Sequence, residues 1–216
     1  AGARERVRAA TASEFDLTDV VALNTVALDI VAGPDAIVVP LAAGLEDGLF
    51  EHDGQLTKRD VRAVTLSALA PRHGELLWDI GLGAGSIAIE WLLRHPSLRA
   101  IGIEERGDRA ARAARNAATL GAPDLQIVQG RAPDAFADLP QPDAVFLGGG
   151  LSDPGVFDQA WSALKPGGRL VANAVTLESE ARLGECLQRH GGELVRLQVT
   201  KAEPVGNMFG WRAAMP

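Results

Sequence analysis

Three alternating glycines between two apolar runs are the strongest chemical feature of the sequence. Gly81, Gly83 and Gly85 follow the apolar stretch 76–80, which contains Asp79, and precede a run with helical apolar spacing. This pattern is typical of a strand, a tight turn and a helix. Glycine is needed where the backbone turns sharply and approaches a ligand that a side chain would block. The stretch therefore predicts a ligand site in the turn.

The position of the third glycine separates two classes of nucleotide-binding turn. The dinucleotide fingerprint G-x-G-x-x-G needs glycine at position 86, where this chain has Ser86. The observed spacing is G-x-G-x-G, with Asp79 two residues before the first glycine, and it resembles the first motif of S-adenosylmethionine-dependent methyltransferases. A glycine pattern alone is weak evidence, so a nucleotide-dependent dehydrogenase stays open as an alternative.

An acidic residue ends the next apolar run. Glu104 lies 19 residues after Gly85, where a carboxylate can accept hydrogen bonds from both ribose hydroxyls of a nucleoside. Glu105 is the neighbouring alternative, but the alternation that puts Ile101 and Ile103 on one face ends the strand at Glu104. We therefore predict Glu104 as the ribose acceptor, the other interpretation being a solvated acid at a strand end.

Two further motifs bear on the class of enzyme. The stretch 164–170, Leu-Lys-Pro-Gly-Gly-Arg-Leu, resembles the corner before the fifth strand of methyltransferases. After the third strand, methyltransferases usually place an acid that meets the adenine amino group, but this chain has Arg131 there. That leaves the backbone groups of Arg131 and Ala132 for the adenine edge.

The turn after the fourth predicted strand concerns the substrate. It consists of Gly148, Gly149 and Gly150, and it carries neither the acids of metal-dependent enzymes nor the Asn or Asp with two prolines of enzymes that methylate amide-like nitrogens. The chain has no tyrosine to act as a phenolic base. Such a turn makes room for a bulky substrate whose nucleophilic atom, such as an electron-rich ring carbon, needs mainly alignment. We predict no catalytic side chain here.

A basic cluster opens the helix that precedes the glycine motif. Thr57 is the predicted N-cap, and Lys58, Arg59 and Arg62 lie in the first two turns, where the helix dipole disfavours cations. Either these side chains are simply solvated or an anionic ligand lies in front of the helix. The four histidines show no metal-ligand spacing, so we expect no metal site.

From residue 56 onward, helix and strand patterns alternate strictly. Predicted helices cover 57–70, 85–94, 107–120, 133–138, 154–164 and 178–190, and predicted strands cover 75–80, 99–104, 125–129, 143–147, 169–174 and 194–200. A last strand over 207–213 is expected to enter antiparallel. The βα alternation implies a parallel sheet with helices on both faces. We therefore expect an α/β fold of the Rossmann-like class I methyltransferase type, with a seven-stranded sheet and ligands at the carboxyl ends of the strands.

Residues 1–45 do not share this alternation. Residues 19–31 are rich in β-branched side chains and predict one strand, whereas 32–56 contain many glycines and prolines and predict an irregular connector. A lone strand lacks neighbours for its backbone groups. We therefore expect residues 1–45 to be the tail of a preceding domain or an N-terminal arm, and 46–216 to be the methyltransferase domain.

Composition argues against several classes of partner. With 28 acidic and 21 basic residues the net charge is −7, which disfavours nucleic acid. The longest apolar stretch, 20–32, is too short to span a bilayer and contains Asn24 and Asp29. The single cysteine, Cys186, cannot form an internal disulfide and suits a reducing compartment. We expect a cytoplasmic protein with no membrane or nucleic-acid partner.

Three stretches together resemble one family. They are Glu-His-Asp-Gly-Gln-Leu-Thr-Lys-Arg-Asp-Val-Arg at 51–62, the glycine motif at 78–91, and Gly-Arg-Ala-Pro at 130–133. They resemble the decarboxylating carbon-15 methyltransferases of cobalamin biosynthesis, and the whole chain is similar to the carboxyl-terminal part of the fused precorrin-6Y methyltransferases. Residues 1–45 resemble the end of their amino-terminal carbon-5 methyltransferase half.

The resemblance implies a function and a set of site residues. The expected reaction is S-adenosylmethionine-dependent methylation of carbon 15 of a precorrin, with loss of carbon dioxide from the ring C acetate. A carboxylate-fringed macrocycle gives the basic cluster and the triple-glycine turn a substrate-binding role, and related domains form tetramers, so a homo-oligomer is expected. The cofactor-binding positions are Thr57, Gly81, Leu82, Gly83, Ala84, Gly85, Glu104, Arg131 and Ala132. A methyltransferase of another small molecule and a non-catalytic cofactor-binding module remain alternatives.

Overall fold

The computed structural model describes residues 6–213, which divide into two compact units between Ile37 and Val38. In the first unit, one 3-10 turn at Ala12–Glu14 is the regular structure found in residues 6–37. The strand predicted over 19–31 is therefore wrong. Its apolar side chains do not pack against a sheet, and those of Leu23 and Val31 are 93% and 88% exposed. A strand pattern without a neighbouring strand leaves its backbone groups to water.

The boundary between the two units lies earlier than the sequence indicated. Leu45 and Phe50 are buried in the core of the second unit. The backbone N–H groups of Gly44 and Leu45 donate to the Glu90 carboxylate at 2.7 and 2.8 Å. The expected boundary at 45/46 is thus corrected to 37/38, because residues 38–45 share buried hydrogen bonds and core packing with the second unit.

The second unit is built on a five-stranded parallel sheet. Its strands are β1 Leu76–Ile80, β2 Arg99–Glu104, β3 Gln126–Gln129, β4 Ala144–Leu147 and β5 Arg169–Ala172, in the order β3-β2-β1-β4-β5. The helices are α1 Arg59–Leu69, α2 Ser86–Leu92, α3 Gly107–Thr119, α4 Val156–Ala163 and α5 Leu177–His190. The chain moves outward from β1 to β3 and then returns to place β4 on the other side of β1. The strand order therefore reverses between β1 and β4, where α/β proteins bind ligands.

Both faces of this sheet are covered. Along β1, Leu77 faces a core shared with α1, α2 and α3, whereas Trp78 faces a second core that includes Phe157 of α4 and Cys186 of α5. Successive side chains of a strand point to opposite faces, so a strand buried on both sides is apolar throughout. The parallel sheet with helices on both faces is confirmed. Within residues 6–213, no helix combines the length and the apolar character that crossing a membrane requires.

The last two strands form a separate hairpin. β6 Thr200–Val205 pairs antiparallel with β7 Met208–Ala213 across a turn at Gly206, in a sheet of two strands. The strand predicted at 194–200 is wrong, because β6 begins where it was expected to end and pairs locally with β7. The antiparallel direction of the last strand is correct. In the described chain, the expected single sheet of seven strands is replaced by a sheet of five and a hairpin.

Candidate functional site

A cavity of about 500 Å³ opens at the carboxyl ends of β1, β2 and β4. This is the point where the strand order reverses, as the βα alternation predicted. Of the residues expected to bind cofactor, the cavity is lined by Thr57, Gly81, Leu82, Gly83, Ala84, Glu104, Arg131 and Ala132. Of those expected to bind substrate, it is lined by Lys58, Gly148, Gly149 and Gly150. Gly85, Arg59 and Arg62 do not line it.

The two glycine turns of the cavity meet backbone to backbone. A Cβ atom at Gly81, where φ is +76°, would lie 2.7 Å from the Gly149 nitrogen. The Ile80 carbonyl accepts from the N–H groups of Gly148 and Gly149 at 2.9 and 3.2 Å. Glycine at 81 is therefore required by the close approach of the β1 and β4 turns as well as by its positive φ.

Glu104 joins the first glycine turn to the end of β2. Its side chain is buried, and its two oxygens accept from the N–H groups of Gly83 at 2.9 Å and Arg106 at 3.0 Å. A carboxylate has about four acceptor sites, so it can accept further bonds from a ligand in the cavity. A Cβ atom at Gly83 would have only the Gly81 carbonyl oxygen near it, at 3.9 Å, so this position faces open space.

Gly85 serves packing and is not among the residues that line the cavity. It is the N-cap of α2, with φ +79°, and a Cβ atom there would lie 3.2 Å from the Ala113 side chain and 3.3 Å from that of Ile89. The predicted cofactor contact at Gly85 is thus corrected. The third glycine lets α2 pack closely against α3.

Asp79 is the buried acid of the site. It is 1% exposed, and one of its oxygens accepts from the Ala88 N–H at 3.0 Å. The other oxygen, Oδ1, has no hydrogen-bond partner among the described residues. Burial, with a smaller contribution from the nearby Glu104 charge, raises the pKa of Asp79 to about 7. An unpartnered buried carboxylate in a cavity wall favours a cationic ligand group.

The start of α1 differs from its prediction. The N-cap is Lys58, one residue after the predicted Thr57, and it makes no side-chain cap. The first turn is capped instead by Asp47, whose Oδ1 accepts from the Arg59 N–H at 3.0 Å. The Arg59 side chain pairs with Glu46. Two acids of the irregular connector therefore supply the negative charge that the helix dipole favours at this end.

Arg62 belongs to the core. Its side chain is fully buried, and its Nε lies 2.6 Å from Glu90 Oε1. Its terminal nitrogens donate to the carbonyls of Leu45 and Thr57. The substrate-binding roles predicted for Arg59 and Arg62 are thus corrected, because acids of the chain itself neutralise both. Of the basic cluster, Lys58 lines the cavity, and it forms no ion pair with any described residue.

Several cavity residues were missed by the sequence analysis. Arg109 of α3 lines the cavity and donates to Asp53 at 2.8 Å and to Gln55 at 2.7 Å. These two bonds hold residues 53–55 beside the cavity. Burial raises the pKa of Asp53, but the bonds from Arg109, Arg112 and the Gln55 N–H outweigh it and lower the pKa to about 2. Asn173, directly after β5, also lines the cavity. The predicted strand over 169–174 contains Asn173, whereas β5 ends at Ala172, so Asn173 is the first polar residue after the strand.

Comparisons with known proteins identify a consistent set of relatives. The family model described as the precorrin methyltransferase domain matches residues 48–216. The chain is 57% identical over 215 residues to the decarboxylating precorrin-6Y C(5,15)-methyltransferase of a Sinorhizobium species, an alignment that covers 100% of this chain and 52% of the relative. It is 37% identical to the probable decarboxylating cobalt-precorrin-6B C(15)-methyltransferase of Pyrobaculum calidifontis, covering 80% of this chain and 92% of that protein.

A solved structure supports the fold assignment. The C-terminal domain of precorrin-6Y C5,15-methyltransferase from Rhodobacter capsulatus matches with a TM-score of 0.76 and 52% identity, covering 81% of this chain and 94% of that one. The chain spans about half the length of the Sinorhizobium relative. The arrangement of β1 to β5 is thus that of class I methyltransferases.

Proposed function

The chain belongs to the precorrin methyltransferase domain family, and from this premise we propose that it methylates carbon 15 of a precorrin with S-adenosylmethionine and removes carbon dioxide from the ring C acetate, in cobalamin biosynthesis. The observation that carries the proposal is the cavity in which a turn around Gly83 and the buried Glu104 face the triple-glycine turn 148–150. Relatives named for this reaction support the substrate.

The cavity residues fit S-adenosylmethionine. Glu104 would accept from the ribose hydroxyls, and Asp79 Oδ1 offers an unpartnered acceptor to the ammonium group of the methionine part. The backbone of Arg131 and Ala132 would meet the adenine edge. When bound, the cofactor supplies an electrophilic methyl group on a positively charged sulfur. The chain's part is to hold these groups and to exclude water from the reacting atoms.

The substrate side of the cavity offers space and the basic side chain of Lys58. The turn 148–150 carries no side chains, and Lys58 stands at the cavity wall without an acidic partner among the described residues. A macrocycle fringed with carboxylates would place one of them against Lys58. An electron-rich ring carbon needs no base to attack the methyl group, so alignment of carbon, methyl and sulfur is the main catalytic contribution.

The wider setting is also part of the proposal. Because the Sinorhizobium relative is about twice as long and is named for carbons 5 and 15, we propose that this domain acts in a protein with a fused carbon-5 methyltransferase domain.

The hairpin carries Phe209 and Trp211, each 76% exposed, which supports assembly into a homo-oligomer, expected to be a tetramer. The single buried thiol suits a cytoplasmic location.

Replacing Glu104 tests the cofactor site. Glu104→Gln should weaken S-adenosylmethionine binding by about 1.5–3 kcal/mol, the range for a hydrogen bond to a charged group. Titration calorimetry measures it, with Glu193→Gln as the control, since Glu193 is exposed, does not line the cavity and should leave cofactor binding unchanged. Equal affinity of the Glu104 variant and the native chain would remove this carboxylate from the site.

A further inference from the structure

Asn173 brings a side-chain amide to the substrate half of the cavity. It follows β5 directly, and its backbone N–H donates to the Leu147 carbonyl at 3.2 Å. This bond places Asn173 beside the end of β4, and Asn173 lines the same cavity as the turn 148–150. The turn itself carries no base or nucleophile, so polar side chains that could meet the substrate there come from neighbouring residues such as Asn173 and Asp153, which both line the cavity.

The amide is held in one orientation by α1. Asn173 Nδ2 donates to Thr65 Oγ1 at 3.0 Å, and Thr65 Oγ1 donates to the Val61 carbonyl at 2.8 Å. Because the hydroxyl has a single hydrogen, which Val61 receives, it can only accept from Asn173. Asn173 Oδ1 has one contact among the described residues, 3.4 Å from the same hydroxyl. Its lone pairs are therefore available to a ligand in the cavity.

We propose that Asn173 Oδ1 accepts a hydrogen bond from a ring N–H of the substrate macrocycle and so orients the carbon to be methylated; this inference rests on the proposed function. In methyl transfer, a carbon–carbon bond forms from the ring electron pair and the methyl–sulfur bond breaks. The sulfonium becomes a neutral thioether, and its positive charge passes to the conjugated ring nitrogen. An amide oxygen stabilises that N–H more strongly as it becomes positive, yet is too weakly basic to remove its proton.

The test compares variants at Asn173 and Thr65 in steady-state methyl transfer to a precorrin. Asn173→Ala should lower kcat by about 10–100-fold, the range for a hydrogen bond to a charged group, while cofactor affinity stays within about twofold. Asn173→Asp keeps an oxygen in the same place and should retain much more of the rate. Thr65→Val should reduce kcat less than Asn173→Ala, because the amide remains but is no longer held. Thr65→Ser keeps the hydroxyl and should behave like the native chain.

Three results would overturn the inference, and they can be told apart. Native kcat and KM in Asn173→Ala would mean that the amide does not meet the substrate. If Asn173→Ala lowers the cofactor affinity and the melting temperature as well as the rate, Asn173 has a purely structural role. Failure of the native chain itself to methylate the precorrin would overturn the proposed function, and this inference with it.

Discussion

Gly83→Val is expected to abolish S-adenosylmethionine binding while the chain still folds. A side chain at this position meets no protein atom closer than 3.9 Å from its Cβ, so it projects into the space that the cofactor would occupy. The positive φ of +56° strains a branched residue and should lower the free energy of unfolding by roughly 1–2 kcal/mol. Calorimetry should show affinity reduced at least about 100-fold, or about 3 kcal/mol.

Gly121→Val is the matched control for this substitution. Gly121 has φ +83°, and a Cβ atom there would meet nothing within 4 Å, so it imposes similar backbone strain away from the cavity. This variant should lose similar stability but bind cofactor normally. A folded Gly83→Val chain with native affinity would place the nucleoside elsewhere.

Glu90→Gln is expected to destabilise the domain more than any surface charge change. Its carboxylate pairs with the fully buried Arg62 and accepts the N–H groups of Gly44 and Leu45. Removing the Glu90 charge leaves the buried Arg62 with the partly exposed Asp47 as its remaining acidic partner, and breaking a buried pair in this way costs about 3–5 kcal/mol. For a domain of this size the melting temperature should fall by roughly 6–20 °C. Thermal unfolding followed by circular dichroism measures it.

Two variants check that the loss comes from the buried charge. Glu46→Gln removes the exposed partner of Arg59 and should change stability by less than about 1 kcal/mol. Replacing Arg62 and Glu90 together with methionine should recover part of the loss, since both buried charges of the pair are then removed. A Glu90→Gln chain as stable as Glu46→Gln would contradict the structural role assigned to this pair.

The parts of the fold with strict local signals could be predicted from sequence. Apolar strands alternating with helix-spaced runs fixed β1 to β5, and the glycine turn after Asp79 led to the cavity wall. The end of β2 at Glu104 was predicted correctly, because side-chain alternation along the strand indicates where it ends. In these segments the local secondary-structure preference of the residues agrees with the final fold, and under that condition structure can be predicted from sequence.

The errors arose where the outcome depends on distant partners. Residues 19–31 have strand composition, but a strand exists only with a neighbour, and Leu23 is left exposed. Arg62 was interpreted as a surface cation because its partner Glu90 lies 28 positions away on another helix. Asp47, which caps α1, lies in a stretch rich in glycine and proline that carried no helix signal.

The proposed reaction is tested most directly by following the transferred methyl group and the lost carbon dioxide. The chain is incubated with precorrin substrate and S-adenosylmethionine carrying an isotope-labelled methyl group, and the product and released gas are analysed by mass spectrometry. The product should have gained the labelled methyl group and lost one carbon dioxide, and Gly83→Val should be inactive under the same conditions. A native chain that binds the cofactor but leaves the precorrin mass unchanged would contradict it.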